Sequence, residues 1–206
     1  MTVNPNTSVL ISIVESAVKR FNLSIDRESL LLSTDPRLEQ PVSKFRVAHE
    51  QAISHRLSFY LECLLRCEGL ISDKGPIVVD CEYNQHLFSS KRIWVLRKHM
   101  KSFIAAGRKP VRVIGRRDVV AFNIRPDILV HRRGFDGRTN WLVLEVKRWS
   151  NPDRRHDEEK LKLLTKLGLN TYGYVLGAAV YARNDLPPKK QTLELGPRFH
   201  DGEPLH

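Results

Sequence analysis

Apolar residues recur at helical spacing in three parts of the chain. The first part spans Ser8–Phe21, and the second runs from about Val42 to Cys67. Gly69 follows the second part and is a typical residue at which a helix ends. The third part, about Asp153–Leu167, carries its acids early and its lysines late, as the helix dipole favours. These three segments are predicted helices.

Short apolar runs rich in β-branched residues predict the strands. They are Ile77–Tyr83, Val111–Ile114, Asp118–Phe122, Arg125–Arg132, Asn140–Arg148 and Tyr172–Tyr181. Arg133–Thr139 contains two glycines, so a hairpin is expected between the strands on either side of it. Residues Ile93–Ala106 are predicted to be helical. The order of helices and strands predicts an α/β fold, with a sheet covered by helices on both faces.

The strand Asn140–Arg148 carries charged residues inside an apolar run. Glu145 and Lys147 point to the same face, because alternate residues of a strand share a face. The residues around them are apolar on both faces, which is typical of a central, buried strand. A buried acid or lysine carries a desolvation cost unless it is paired or binds a metal ion. These two residues are therefore candidates for chemistry.

Two further acids are predicted to lie near Glu145. Asp127 precedes the apolar run of the neighbouring strand, so pairing in a hairpin would bring it towards Glu145. Two close carboxylates repel each other unless a cation joins them, and oxygen ligands suit Mg²⁺ or Mn²⁺. Glu50 shares the apolar stripe of the second helix with Ile53 and Leu57. It is therefore predicted to face the sheet.

The positive charge of the chain is concentrated in one segment. The formal net charge is +11, and residues 91–120 carry ten Lys or Arg against one acid, Asp118. Such a segment favours a polyanion such as nucleic acid as a partner, whereas the alternative is a solvated basic surface. The candidate nucleic-acid contacts are Lys91, Arg92, Arg97, Lys98, Lys101, Arg108, Lys109, Arg112, Arg116, Arg117 and Arg148.

Several other polar residues have structural as well as functional interpretations. Asp80 and Glu82 alternate on the first strand. They are candidates to support the ligands of the site, or else members of a salt-bridge network at a strand end. Asp157 and Lys160 are predicted to form an ordinary pair on a helix surface. The three cysteines are predicted to be free thiols, because an odd count argues against a disulfide framework.

Targeting signals are not apparent in the chain. No apolar stretch approaches the roughly 18–20 residues that a membrane span needs. The N-terminus lacks the basic and then apolar pattern of a secretory signal. A cytoplasmic protein that has no membrane partner is therefore expected.

The spacing of the candidate residues resembles a known nuclease motif. Pro126-Asp127, then seventeen residues, then Glu145-Val146-Lys147 are similar to the PD-(D/E)xK motif of nucleases. The upstream acid Glu50 also matches that superfamily. The resemblance spans roughly residues 45–182 and includes residues 49–57, 79–84, 125–134 and 160–165.

The resemblance implies a restriction-endonuclease-like fold, in which a central mixed sheet is flanked by helices on both faces. We expect this domain to cover residues 41–182, with a basic insertion at about 85–122. A helical arm over residues 1–40 and a peripheral arm over residues 183–206 would complete the chain.

The resemblance also implies metal-dependent hydrolysis of phosphodiester bonds. Asp127 and Glu145, with the carbonyl of Val146, are expected to hold Mg²⁺ or Mn²⁺. Lys147 is expected to orient the attacking water or to help deprotonate it. Glu50 is expected to complete the shell of the ion or to serve a second ion. The function implied is that of a bacterial DNA endonuclease.

Two other functions stay open from the sequence. One is a catalytically inactive module of the same fold that binds nucleic acid or another partner. The other is a ribonuclease with the same centre. The oligomeric state is open as well: many enzymes of this kind form homodimers to cut two strands, but no residue pattern here demonstrates one.

Overall fold

A computed structural model describes residues 5–24, 50–81, 85–86, 89–90, 92–96, 101, 104, 110–111, 119–133, 140–149, 154–166, 172–183 and 192–205. Three helices lie in these ranges: α1 (Thr7–Leu23), α2 (Glu50–Cys67) and α3 (Arg154–Thr165). Asn6 caps α1, because its side chain accepts a hydrogen bond from the backbone N–H of Val9 at 2.9 Å. All three segments were predicted as helices.

The strands build a six-stranded mixed sheet and two smaller sheets. In chain order they are β1 (Ile77–Cys81), β2 (Gln85–His86), β3 (Ser89–Ser90), β4 (Arg92–Leu96), β5 (Pro110–Val111), β6 (Val119–Asn123), β7 (Ile128–Arg132), β8 (Asn140–Arg148), β9 (Leu176–Ala182), β10 (Leu193–His200) and β11 (Glu203–Leu205). The large sheet has the order β1-β7-β8-β9-β10-β11, and the small ones are β2-β3 and β4-β6-β5. Within the large sheet β8 and β9 are parallel, whereas the other neighbours are antiparallel. The α/β class and the mixed sheet are thus confirmed.

Strand β8 is central because its two faces are buried by different layers. Leu142 and Leu144 belong to the core cluster that α1 and α2 form with the sheet. Val143, on the opposite face, belongs to a second cluster together with Leu161 of α3 and Phe122 of β6. Helices therefore cover both faces, as predicted, and the small sheet β4-β6-β5 shares the second face with α3.

The structure corrects the first part of the helix predicted over residues 93–106, whereas residues 101 and 104 in its later part are helical. Residues 92–96 form strand β4, which pairs antiparallel with β6. Ile93 and Val95 are buried while Arg92 and Leu96 are exposed, which is the two-residue period of a strand. Apart from residues 101 and 104, the rest of that segment lies outside the described residues.

The two predicted arms also pack differently from expectation. Helix α1 lies within the main core, where Leu10 and Phe21 are fully buried. Strands β10 and β11 extend the large sheet beyond β9, although their sequence is rich in polar residues and proline. Pro197 is tolerated because the pairing with β9 shifts register between Leu195 and Arg198, as at a β-bulge. The C-terminal segment is thus part of the sheet.

A close contact in β10 fixes the position of α3. A Cβ atom on Gly196 would lie 2.4 Å from the ring of Tyr181. Any residue other than glycine would therefore clash with that ring in its present position. The Tyr181 hydroxyl then donates a hydrogen bond to Oε1 of Glu158 at 3.0 Å. The end of the sheet is in this way tied to the helix that carries Asp157 and Lys160.

In the described part of the chain, none of the helices combines the length and the apolar character that crossing a membrane requires.

Candidate active site

The antiparallel pair β7 and β8 places Asp127 beside the charged end of β8. Ile128 lies opposite Leu144 in the register, so Asp127 stands one residue before the start of β7 and next to Glu145. Its Oδ2 accepts a hydrogen bond of 2.7 Å from the backbone N–H of Val146. The predicted pairing of these two strands is confirmed, and it holds the Asp127 carboxylate against the strand that carries Glu145 and Lys147.

Glu145 is a buried carboxylate with little solvation. Its side chain is 1% exposed, and neither oxygen accepts a hydrogen bond from any residue that the structure describes. Burial raises the pKa of Glu145 well above its usual value, and the nearby charge of Asp127 adds to that effect. Burial likewise raises the pKa of Asp127.

Among the described residues, Lys160 of α3 is the cation that pairs with Glu145. The Lys160 Nζ lies 2.7 Å from Oε2 of Glu145 and 3.4 Å from Oδ1 of Asp157, and the lysine side chain is 2% exposed. The distance to Glu145 is that of an ion pair, but its geometry is not that of a hydrogen bond. The attraction therefore compensates charge without satisfying either carboxylate oxygen.

The burial of Asp157 and Lys160 corrects their interpretation as a surface pair. Both side chains are buried, and they lie on the same stripe of α3 as Leu161 and Leu164. A signal for this was present in the sequence. When the apolar stripe of α3 is extended towards its N-terminus at helical spacing, it includes these two charged residues. A pair on the exposed surface would lie off that stripe.

Lys147 is held by acids from two other elements. Its Nζ lies 3.1 Å from Oε2 of Glu50 and 3.9 Å from Oδ2 of Asp127. Burial alone would lower the pKa of Lys147, but the surrounding carboxylates outweigh it and raise that pKa above its usual value. The ammonium group is therefore charged and oriented.

Glu50 reaches the end of β8 from the first residue of α2. Besides the contact with Lys147, its Oε1 accepts a hydrogen bond of 3.2 Å from the backbone N–H of Arg148. Both carboxylate oxygens of Glu50 are thus directed at β8. The predicted position beside the sheet is the one observed, and the contacts are those of a residue that orients Lys147.

The cluster has an excess of negative charge. Among the residues that the structure describes, four carboxylates meet two lysine ammonium groups here; the carboxylates belong to Glu50, Asp127, Glu145 and Asp157. With all acids ionised there are two more negative charges than positive ones. A divalent cation would balance that excess, and the oxygen-only donor set is the one that Mg²⁺ or Mn²⁺ prefers.

The residues fit a cation site of modest size. No group of three or more His, Cys, Asp or Glu side chains is arranged to hold a metal ion within the described ranges. Two acids and a main-chain oxygen are compatible with that finding. Asp127, Glu145 and the carbonyl of Val146 are such a set, and the buried oxygens of Glu145 accept no hydrogen bond from a described residue.

Asp80 belongs to a different network. Its Oδ2 lies 3.0 Å from Nε2 of His131 and accepts a hydrogen bond of 2.9 Å from Nε of Arg133, whose Nη2 contacts Oδ1. Burial alone would raise the pKa of Asp80, but these bonds outweigh it and hold that pKa well below the usual range. Of the two alternatives for Asp80, the structure shows the salt-bridge network at a strand end. Glu82 lies outside the described residues.

Removing the charge of Asp80 is expected to destabilise the fold by about 2 kcal/mol at pH 7. Breaking a buried pair costs about 3–5 kcal/mol, and the 61% exposure of the Arg133 side chain reduces that figure. Because its pKa is lowered, Asp80 stabilises the fold above about pH 4 and loses this contribution as pH falls further. Urea unfolding of Asp80→Asn and wild type should therefore differ by the full amount at pH 7 and by clearly less at pH 2, because folded Asp80 keeps its charge until the pH approaches its lowered pKa. An equal difference at both pH values would contradict this.

Most of the predicted nucleic-acid contacts lie outside the described residues. They are Lys91, Arg97, Lys98, Arg108, Lys109, Arg112, Arg116 and Arg117. Arg92 and Lys101 are exposed, and the backbone N–H of Arg92 donates to the Tyr172 hydroxyl at 2.9 Å. Arg148 follows Lys147 at the end of β8 and therefore adjoins the cluster.

Comparisons of this chain with family models, with curated proteins and with solved structures gave no match.

Proposed function

We propose that this protein is a Mg²⁺-dependent nuclease of the PD-(D/E)xK type, which hydrolyses phosphodiester bonds in DNA. The observation that supports it is the convergence of Asp127, Glu145 and Lys147 at one end of the β7–β8 pair, together with Glu50. These residues resemble the PD-(D/E)xK motif and its upstream acid, and with all acids ionised their cluster carries an excess of negative charge.

In this proposal Asp127, Glu145 and the carbonyl of Val146 hold the Mg²⁺. Bound there, the ion would supply positive charge to the scissile phosphate and acidify the attacking water. The protein contributes rigidity. The hydrogen bond from the backbone N–H of Val146 fixes the Asp127 carboxylate, and Glu145 stands on a strand that is buried on both faces.

Lys147 acts in this proposal as a charged donor to the reacting phosphate. Its ammonium group is held by Glu50 and Asp127, and its raised pKa keeps it protonated. A protonated lysine donates hydrogen bonds to the negative charge that develops on phosphate oxygens. Glu50 is then a positioning residue, because its contacts orient Lys147 and the backbone of Arg148.

DNA is the substrate that we propose, on the strength of the charge distribution. The chain carries a formal net charge of +11, and ten of its basic residues are concentrated in residues 91–120. Arg148 extends that basic character to the edge of the cluster. A high density of basic residues suits the phosphate backbone of a nucleic acid.

Incubation with supercoiled plasmid in Mg²⁺ and in EDTA tests the proposal, with RNA substrates in parallel. We expect nicked or linear plasmid in Mg²⁺ and intact plasmid in EDTA. The variant Asp127→Asn should be inactive, whereas Lys162→Met, in an exposed pair on α3, should cut like wild type. Cleavage of RNA alone would identify a ribonuclease. Failure to cut any substrate with Mg²⁺ or Mn²⁺ would refute the proposal that this protein is an enzyme.

One observation favours a second function, a catalytically inactive module that binds nucleic acid. Lys160 already forms an ion pair with Glu145 at 2.7 Å, which places a protein cation on a carboxylate that the enzyme requires for Mg²⁺. Such a module would retain salt-sensitive binding of DNA but cut nothing. A filter-binding titration at several salt concentrations, beside the plasmid assay, separates the two functions.

A further inference from the structure

Two lysine–acid pairs with the same spacing lie on α3, and one of them reaches Glu145 of strand β8. Lys162 pairs with Glu159 at 2.7 Å on the exposed side of the helix. Lys160 pairs with Asp157 at 3.4 Å on the buried side, and its Nζ also reaches Glu145 of β8. A lysine placed between two buried acids, one of them a proposed metal ligand, needs an explanation.

The ion pair with Glu145 is compact but incomplete. Neither Glu145 oxygen accepts a hydrogen bond from a described residue, and Oδ2 of buried Asp157 likewise lacks a donor in the part of the chain that the structure describes. Burying a charge without hydrogen-bond partners costs free energy. A second cation near these two acids would therefore be bound favourably, in addition to Lys160. Both acids lie close enough to Lys147 to raise its pKa.

We infer that Lys160 is an internal counter-cation that competes with the divalent ion for Glu145. Binding of the ion at Glu145 then requires the Lys160 ammonium to leave Oε2. Asp157 retains the ammonium after that exchange, because it already lies 3.4 Å away on the same helix. This inference rests on the proposed function, since Glu145 is one of the ligands proposed there.

The exchange gives α3 a defined influence on the metal site. Without Lys160, Glu145 would be an uncompensated acid and would bind a cation more tightly. Without Asp157, Lys160 would have Glu145 as its one acid partner among the described residues. The divalent ion would then displace Lys160 from Glu145 at a greater cost in free energy. The two substitutions therefore act in opposite directions, and the effect of Asp157 depends on the presence of Lys160.

Titration with Mn²⁺, followed by calorimetry and by electron paramagnetic resonance, tests this arrangement. We expect Lys160→Met to bind Mn²⁺ about tenfold more tightly than wild type, and Asp157→Asn about tenfold more weakly. In the Lys160→Met background, Asp157→Asn should change the affinity by less than about threefold. Lys162→Met is the matched control, because it breaks the exposed pair of the same spacing, and it should leave the affinity unchanged.

The outcomes separate this inference from the proposed function. If wild type binds Mn²⁺ and Lys160→Met binds it no more tightly, the competition is refuted while the nuclease proposal stands. Equal effects of Asp157→Asn in both backgrounds would also refute it, since they indicate a simple charge effect on the ion. Binding by Lys160→Met alone would support the competition and count against catalysis by wild type. No binding by either protein overturns both proposals.

Circular dichroism shows first whether each variant is folded. Should Lys160→Met fail to fold, the comparison of wild type with Asp157→Asn can still refute the exchange. Asp157→Asn is nearly isosteric and leaves the ion pair of Lys160 with Glu145 in place. An affinity equal to that of wild type in Asp157→Asn would then overturn the exchange.

Discussion

Replacing Lys147 with methionine is expected to lower the rate of DNA cleavage by about 10²–10³-fold, the loss typical of removing one donor to a developing negative charge. Methionine retains most of the length of the side chain but removes the ammonium group that Glu50 and Asp127 hold. The metal ligands Asp127 and Glu145 are untouched. Affinity for Mn²⁺ should therefore be retained or increase, because one positive charge near the site is lost.

Single-turnover cleavage at saturating Mg²⁺ is the measurement for this variant, with a Mn²⁺ titration of the same preparation. Lys162→Met again serves as the control for a lost lysine that lies outside the cluster. Cleavage by Lys147→Met within a few-fold of wild type would remove this lysine from the mechanism. Loss of Mn²⁺ binding together with activity would instead assign it a structural role.

The second large effect is on folding. Lys160→Met is expected to lower the free energy of unfolding by about 3 kcal/mol in EDTA, because it leaves buried Glu145 and Asp157 without their shared cation. The exposed pair of Lys162 and Glu159, with side chains 35% and 48% exposed, contributes at most about 0.5 kcal/mol. Urea unfolding of Lys160→Met and Lys162→Met at pH 8 should therefore differ clearly.

Protonation of Glu145 gives this stability prediction an internal check. Burial already raises the pKa of Glu145, and a protonated carboxyl needs no counter-charge. The destabilisation by Lys160→Met should accordingly be smaller at pH 5 than at pH 8, and Glu145→Gln in the same background should recover part of the loss. A variant as stable as Lys162→Met at both pH values would show that the buried ion pair contributes nothing to the fold.

Strand β8 was predictable because its signal is local. Glu145 and Lys147 interrupt an apolar run that alternates over both faces, and this pattern alone requires a buried strand with charged residues in it. The pairing of that strand with β7 followed from the short, glycine-containing segment between them. Once the hairpin was predicted, the position of Asp127 beside Glu145 followed from it.

The partners of Glu145 were less predictable, because they depend on contacts distant in sequence. Lys160 and Asp157 look like a surface pair along α3, and only the packing of that helix on β8 shows them to be buried. Strand β10 was missed for a similar reason. Pro197 argues against a strand unless the register shift beside β9 is known, because that shift accommodates the proline.

The rate of plasmid cleavage by wild type and by Asp127→Asn, measured side by side in Mg²⁺, tests the central claim most directly. The substitution is nearly isosteric and changes one carboxylate, whose Oδ2 accepts the hydrogen bond from Val146. The account predicts cleavage by wild type that EDTA abolishes, and a loss of at least about 10²-fold in the variant. Equal cleavage by both proteins, or none by either, would contradict it.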